Sequence, residues 1–360
     1  MKVLVLSEDY PSQNKVSSMY VHTRNVYYKE NGIEVDVINF SASKSYIYEG
    51  LRVMTLQDYV DAKNEYDLLI LHAANIRHHF KFLKKYGQNF KKYLFFFHGH
   101  EVLKVNKVYP KPYSYVKKDP KKGIKRALYD IFKLNYWKHQ FPKIVGKSYL
   151  IFVSNWMREE FLKWTEIPES IIEGREYITY NCVSKEFENE TYDENVVKEY
   201  EFVTIRSFLD GSKYAMDIVN RLAENTPESK FLVVGKGDFY AHYKKPDNLE
   251  WKNQTMTHNE IVETLQKSRF ALMPTRTDAQ GLMMCEMAAF GIPVITSDIP
   301  VCHEVFDGFE NTYYISNEDE IDLKRFDNVE SKCMKDDRYY MKNTISKELN
   351  VIKTIISDRD

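Results

Sequence analysis

Two carboxylates, a glycine and a helix start fall within one stretch, Pro274 to Glu304, which reads PTRTDAQGLMMCEMAAFGIPVITSDIPVCHE. Asp278 sits in a polar loop and Gly281 follows it. Glu286 lies inside an apolar run of helical character, which Gly291 and Pro293 stop before the strand-like Val294 to Thr296. A loop that enters a helix leaves backbone N–H groups unpaired, here those of Gly281, Leu282 and Met283, and such groups point at an anion like a phosphate. Glu286, about one turn further in, faces the same ligand from the side. Eight positions separate Asp278 from Glu286, so the pair can hold opposite ends of a long molecule with a diphosphate at its middle. Glu286 suits a ribose diol and Asp278 a sugar hydroxyl. The competing reading is an ordinary core helix, with Met283, Met284, Met287 and Ala288 as its buried face.

A diphosphate leaving group needs its growing charge neutralised, by a metal or by fixed cations. Arg206, just beyond a strand end, and Lys213, seven residues on at the start of a helix, are the cations on offer. Taken alone, both read as solvated surface residues. Gly235-Lys236-Gly237-Asp238 follows a strand, where glycine lets the backbone approach a nucleotide, although turn chemistry accounts for it equally. His98 ends the strand FFFH, a position where histidine is more often structural than functional. The one Asp-x-Asp in the sequence, Asp358-Arg359-Asp360, has no strand before it. No G-x-G-x-x-G follows the first strand, which argues against a NAD-dependent enzyme.

The stretch around Asp278 and Glu286 resembles the Glu-x7-Glu motif of retaining glycosyltransferases with the GT-B fold, group 1. The likeness covers the helix, the Gly-x-Pro-Val-Ile segment and Glu304, with Asp278 standing where the family has its first Glu. It implies an α/β chain of two Rossmann-like domains facing a central cleft. It further implies that Arg206 and Lys213 are the phosphate pair, that Gln280, Gly281, Leu282, Met283 and Glu286 bind the donor with Asp278, and that Gly235 lies near the base. By the same resemblance, His98 positions the transferred sugar or polarises an acceptor hydroxyl, so that His98, Asp278, Arg206 and Lys213 form the catalytic set. Ser17 and Ser18 occupy the place of the family's Gly-Gly loop, and serine there restricts close backbone approach to the diphosphate. The implied reaction retains anomeric configuration and uses no metal and no cofactor beyond a nucleotide-sugar co-substrate, a UDP-sugar favoured. The acceptor is a glycan or a lipid-linked sugar of surface polysaccharide or glycolipid synthesis. A non-hydrolysing nucleotide-sugar 2-epimerase and a nucleotide-sugar-binding protein without turnover are the rivals.

These residues need elements to position them, and the apolar periodicity supplies a repeating strand-helix pattern. Strands are expected at Val3 to Leu6, Ile33 to Phe40, Asp67 to Leu71, Tyr93 to Phe97, Tyr149 to Val153 and Tyr177 to Tyr180, with helices between, the first over Ser18 to Glu30. After a polar, acidic connector from Glu186 to Glu199, strands recur at Phe202 to Ile205, Phe231 to Val234, Phe270 to Met273 and Val294 to Thr296. Helices are expected near Tyr214 to Ala223, His258 to Lys267, Leu282 to Phe290 and Asp336 to Ile356. The domains follow as 1–190 for the acceptor, 191–340 for the nucleotide sugar, and 341–360 as a helix closing back on the first.

Composition agrees with two soluble domains: 360 residues, 43% hydrophobic and 29% charged, with four cysteines that show no C-x-x-C pair. A reduced cytoplasm fits, and no apolar run approaches the length of a membrane span. The net charge of -1 hides an asymmetry, because Val102 to Lys147 carries thirteen basic residues against two acidic ones. From Ile124 to Phe141 the apolar positions 124, 127, 128, 131 and 132 share one helical face, with Lys125, Arg126, Lys133 and Lys138 available elsewhere. That make-up suits a helix lying on an anionic membrane surface, which places the chain on the inner face of the plasma membrane. A solvated insertion is the plainer reading, and no recognition motif for nucleic acid accompanies the charge.

Overall fold

The computed structural model describes residues 1–13, 15, 17–117, 119–319 and 323–358. Arg359 and Asp360 of the terminal Asp-x-Asp, Lys118 of the basic segment and Asn14 of the first turn lie outside the described residues. The chain forms two compact units, one of residues 1–105, 124–181 and 344–360, the other of 106–123 and 182–343.

The first unit is built on β1 (Lys2–Ser7), β2 (Glu34–Asn39), β3 (Tyr46–Tyr48), β4 (Leu51–Met54), β5 (Leu68–His72), β6 (Tyr93–Phe97), β7 (Ser148–Phe152) and β8 (Glu176–Ile178), in the order β3-β4-β2-β1-β5-β6-β7-β8. Only β3, paired with β4, is antiparallel. The central strands are buried along their whole length, which is why they read as unbroken apolar runs and not as alternations.

The second unit carries β9 (Tyr200–Phe208), β10 (Phe231–Lys236), β11 (Leu249–Lys252), β12 (Ser268–Met273), β13 (Val294–Ser297) and β14 (Thr312–Ile315), all parallel, in the order β11-β10-β9-β12-β13-β14. The strand-helix alternation expected from the sequence is present in both units. Four short strands, β3, β4, β11 and β14, were not expected, and none exceeds four residues.

Three expectations are corrected. The boundary falls after Asn181 and not at 190, because the connector packs into the second unit: Val183, Phe187 and Tyr192 are buried, and the Tyr192 hydroxyl donates to the Ser268 carbonyl at 3.0 Å. Residues 106–123 also belong to that unit, where Tyr113 joins the core beside Phe239 and donates to Asp217 at 2.9 Å. The final helix spans Ile345–Ser357 and does not begin at Asp336, whose side chain instead accepts from the Arg338 N–H at 3.0 Å and turns the chain into a short 3-10 helix.

That last helix brings Glu348 into the first unit as a fully buried carboxylate. It accepts from Arg24 Nε at 3.1 and 3.0 Å, from the Tyr28 hydroxyl at 2.8 Å and from Thr179 Oγ1 at 3.0 Å. Arg24 also donates to Asn181 at 3.1 Å and to the Tyr20 carbonyl at 2.9 Å. Helix Met19–Glu30, the segment after β8 and the C-terminal helix are thus joined at one buried ion pair. Removing one partner leaves the other charged and dry, so Glu348→Ala is expected to cost about 3–5 kcal/mol in urea unfolding of the first unit. A loss below about 1 kcal/mol would show that the pair does not hold these elements together.

Candidate functional site

The winding of the second sheet reverses between β9 and β12. From β9 the chain steps outward to β10 and β11, and from β12 it steps the other way to β13 and β14. Loops leaving two such neighbours part in opposite directions, and the crevice left between them is where open α/β sheets bind ligands. Arg206 stands on β9, and the Asp278 loop leaves β12. The cation and the acid marked in the sequence therefore meet at one crevice.

Arg206 is 6% exposed. Its Nη2 donates to the Pro274 carbonyl at 2.7 Å, and its guanidinium lies 5.1 Å from the Tyr214 ring centroid. Its Nε is buried with no hydrogen-bond partner among the described residues. Burial disfavours the charge and pulls its pKa down, while Tyr214 and Asp278 work in the other direction. Arg276 makes the contrast: both of its terminal nitrogens rest on Asp217, at 2.8 and 2.6 Å, a satisfied structural pair. Arg206 has no such carboxylate among the described residues. The sequence placed it beyond its strand, whereas β9 runs on to Phe208 and holds it rigidly.

Lys213 sits in the 3-10 turn Ser212–Tyr214, with its Nζ 3.8 Å from Asp278 Oδ2. It also lies 4.7 Å from the Tyr214 ring centroid and 5.8 Å from that of Tyr109. Burial resists the charge, but Asp278 and the two tyrosines outweigh it and raise the lysine's pKa. The Lys213 carbonyl accepts from the Arg276 N–H at 2.8 Å and from Thr275 Oγ1 at 3.0 Å, which ties this turn to the Asp278 loop. Asp278 itself accepts from the Ala279 N–H at 2.8 Å. Gly235 lies behind Arg206, where a Cβ would stand 2.5 Å from the Arg206 carbonyl oxygen and 2.7 Å from Leu209 Cδ2. Only glycine fits there, so Gly235 sets where the arginine stands.

Helix Leu282–Phe290 begins at Gly281. Among the described residues the backbone N–H groups of Gly281, Leu282 and Met283 donate to no protein group, and the first helical bonds come from Met284 and Cys285 to the Gly281 carbonyl. Met284, Met287 and Ala288 are buried while Leu282 and Met283 are half-buried, so one helix is core along its length and open at its start. Gln280 is turned inward, its amide 3.6 Å from Cys285 Sγ.

Glu286 is 4% exposed, and burial, with a smaller contribution from Glu186, pushes its carboxyl up to about 8. His258 Nε2 lies 4.0 Å from Glu286 Oε1, and the same ring's Nδ1 lies 3.5 Å from Glu186. His258 opens a helix whose start is fixed by a capping box between Thr257 and Glu260.

Ser18 and His98 belong to the first unit, whose sheet reverses its winding between β1 and β5. Ser18 precedes helix Met19–Glu30 at a φ of 52°, the left-handed conformation that glycine adopts more easily. His98 shares a hydrogen bond with His72, 3.1 Å from Nε2 to Nδ1, and its ring centroid is 4.6 Å from that of Tyr20. Its N–H and that of Gly99 are capped by Glu101. Burial holds both imidazoles well below their ordinary pKa, with Arg24 adding to the effect, so they are neutral donors and acceptors. His72, Tyr20, Tyr109, Tyr214 and His258 were missed in the sequence. Tyr214 adjoins Lys213, which was a usable signal, but the others arrive through long-range packing. Among the described residues, no three His, Cys, Asp or Glu side chains converge in a metal-ligating group.

Residues 202–325 match the family model for Glycosyl transferases group 1. The O-antigen biosynthesis glycosyltransferase WclY of Escherichia coli is 48% identical over 46 residues, a stretch that spans 13% of this chain and 13% of that protein. Sucrose-phosphate synthase from Thermosynechococcus elongatus superposes with a TM-score of 0.72 at 13% identity, over 99% of each chain. HepE of Anabaena, in complex with UDP-glucose, superposes with a TM-score of 0.56 at 12% identity, over 99% of this chain and 96% of that one. At these identities the structural likeness is one of fold.

Two outcomes follow from the geometry. Gly235→Ala forces Arg206 or Leu209 to move and is expected to cost about 1–3 kcal/mol in stability, read by urea unfolding, whereas a neutral change would show the spot to be yielding. Glu286 holds a proton in the folded chain that the unfolded chain, with its ordinary value of 4.5, has released above that pH. Its contribution to stability therefore falls as pH rises from about 4.5 to about 8, by up to about 1.4 kcal/mol for each pH unit crossed. Glu286→Gln should gain on the wild type across that window in unfolding experiments, and a constant difference would contradict the assignment.

Proposed function

We propose that this chain, a GT-B protein of two α/β units whose residues 202–325 belong to the group 1 glycosyltransferases, moves a sugar from a nucleotide-diphosphate sugar to a saccharide acceptor. The observation that carries the reading is Arg206, a buried cation with an unpartnered Nε and no carboxylate of its own among the described residues, at the switch point of the second sheet. A charge so placed is stabilised by an anion that arrives with the ligand. Lys213, 3.8 Å from Asp278, and the open N–H groups at Gly281 to Met283 a few residues further on support the same reading, since a diphosphate needs such donors. In this reading they neutralise the leaving group without a metal, Asp278 holds a sugar hydroxyl, and Glu286 takes the ribose diol.

A UDP-sugar is the donor we favour, because HepE of the same fold was solved with UDP-glucose. The short match to an O-antigen glycosyltransferase supports a glycan or lipid-linked sugar as acceptor in surface polysaccharide synthesis. In the same reading His98, kept neutral beside His72, holds the transferred sugar or polarises the acceptor hydroxyl, and the reaction retains anomeric configuration. By the family resemblance Ser18 takes the place of a glycine in the loop that approaches the diphosphate.

Incubation of the full chain with UDP-sugars and candidate acceptors in EDTA, followed by proton NMR, tests this. The expected result is UDP release with a product of the donor's anomeric configuration. Arg206→Ala should lower turnover by roughly 10- to 100-fold or more, the cost of one charge-assisted hydrogen bond or two. Conversion of the donor to its 2-epimer without an acceptor would make the protein an epimerase. Tight donor binding with no product from any acceptor would make it a binding protein, and dependence on added metal would overturn the role given to Arg206 and Lys213.

A further inference from the structure

Helix Pro120–Gln140 is apolar on two opposite faces. One face is accounted for. Trp137 is fully buried, with ring centroids 4.8, 5.8 and 5.4 Å from those of Phe80, Phe95 and Phe97. Beside it Lys133, expected from the sequence to be a surface cation, is buried instead and donates to Asp130 at 2.8 Å and to the carbonyls of His100 and Leu103 at 2.7 and 2.8 Å. Asp130 in turn accepts from the Val105 N–H at 2.9 Å.

The other face is turned to solvent. Ile124, Leu128, Ile131 and Phe132 are 63%, 61%, 49% and 56% exposed, at the i, i+4, i+7, i+8 spacing of a single stripe. Four large apolar side chains in two turns is far from the usual scatter of exposed hydrophobics. Lys121, Lys125 and Arg126 are exposed on the same turns, and Lys125 and Arg126 make no ion pair among the described residues. The helix's one acidic residue, Asp130, is on the buried face. The apolar stripe is therefore flanked by Lys121 and Lys125, while Arg126 lies along the side of Asp130 and Lys133, and the helix carries no acidic residue of its own on the stripe.

We propose that this face docks on an anionic membrane surface, Ile124, Leu128, Ile131 and Phe132 entering the boundary of headgroups and acyl chains while Lys121 and Lys125 meet the phosphates. Charge chooses the occupant. A protein partner would need its own acidic rim around an apolar groove, and a second copy of this chain would bring like charge against like charge. A bilayer leaflet rich in anionic lipid supplies both requirements at once. Among the described residues, no helix is long and apolar enough to cross a membrane.

Flotation of the full chain with vesicles of phosphatidylcholine alone, or of phosphatidylcholine with phosphatidylglycerol, tests the proposal without any measurement of activity. The wild type is expected to float with the anionic vesicles and not with the neutral ones, and to be released by salt. Removing the charge of Lys121 or of Lys125 should weaken binding roughly five-fold each, and Leu128→Ser with Phe132→Ser should weaken it at least ten-fold. All four side chains are exposed, and thermal melts verify that the variants remain folded. No binding to anionic vesicles would overturn the proposal, as would binding indifferent to the Leu128 and Phe132 changes. Sedimentation showing a dimer that the same two changes dissolve would assign the face to a second copy instead. Nucleotide binding, measured separately, reports on the donor site whichever way the vesicles answer.

Discussion

A guanidinium in a dry place must find an anion, and Arg206 finds none of its own among the described residues. Burial of an unpaired cation is costly, yet the surrounding structure enforces it. Strand β9 holds the residue in the centre of a parallel sheet, the Pro274 carbonyl fixes one nitrogen, Tyr214 lies against the plane, and the bare Gly235 leaves no freedom behind it. Lys213 and Asp278 are arranged about the same point at 3.8 Å from each other, a loose pair that an incoming diphosphate can divide. The site is a preorganised positive potential, the kind that stabilises charge developing on a leaving group at no reorganisation cost.

The first unit shows the same chemistry resolved differently. Arg24 is as buried as Arg206, but Glu348, Asn181 and the Tyr20 carbonyl occupy its donors. One arginine therefore holds helices together, and the other is the one proposed to meet the donor's phosphates. The neutral pair His72 and His98 stands at the ends of β5 and β6, where burial above all, with Arg24's charge beside it, keeps either ring from taking a second proton. A histidine kept neutral orients a hydroxyl without competing for the phosphate, which is the role proposed for it.

Much of this was legible in the sequence because burial on both faces writes parallel strands as continuous apolar runs, and because glycine and proline frame helix Leu282–Phe290 on both sides. Asp278, Gly281 and Glu286 could be given a loop, a helix start and a helix interior from that frame, while Arg206 was set one residue past a strand that in fact contains it. What escaped was set by tertiary packing. Strands β3 and β4 are joined by Glu49 and Gly50, both at positive φ, and Glu is not the residue that announces such a turn. Strands β11 and β14 are four residues each, too short for a period. The acidic connector looked like a linker, but Phe187 and Tyr192 anchor it in the second core. Lys133 looked like one more surface lysine until two carbonyls and a carboxylate claimed it, and His258 reaches Glu286 only because two helices far apart in sequence are neighbours in space.

The central claim is that the buried, unpaired Arg206 is the seat of a nucleotide diphosphate. Calorimetric titration of UDP into the full chain in EDTA, for the wild type and for Arg206→Ala, tests it most directly. The account predicts saturable, metal-independent binding by the wild type and an affinity lower by roughly ten-fold or more in the variant, which keeps its fold. Equal binding by the two proteins, or none by either, would contradict it.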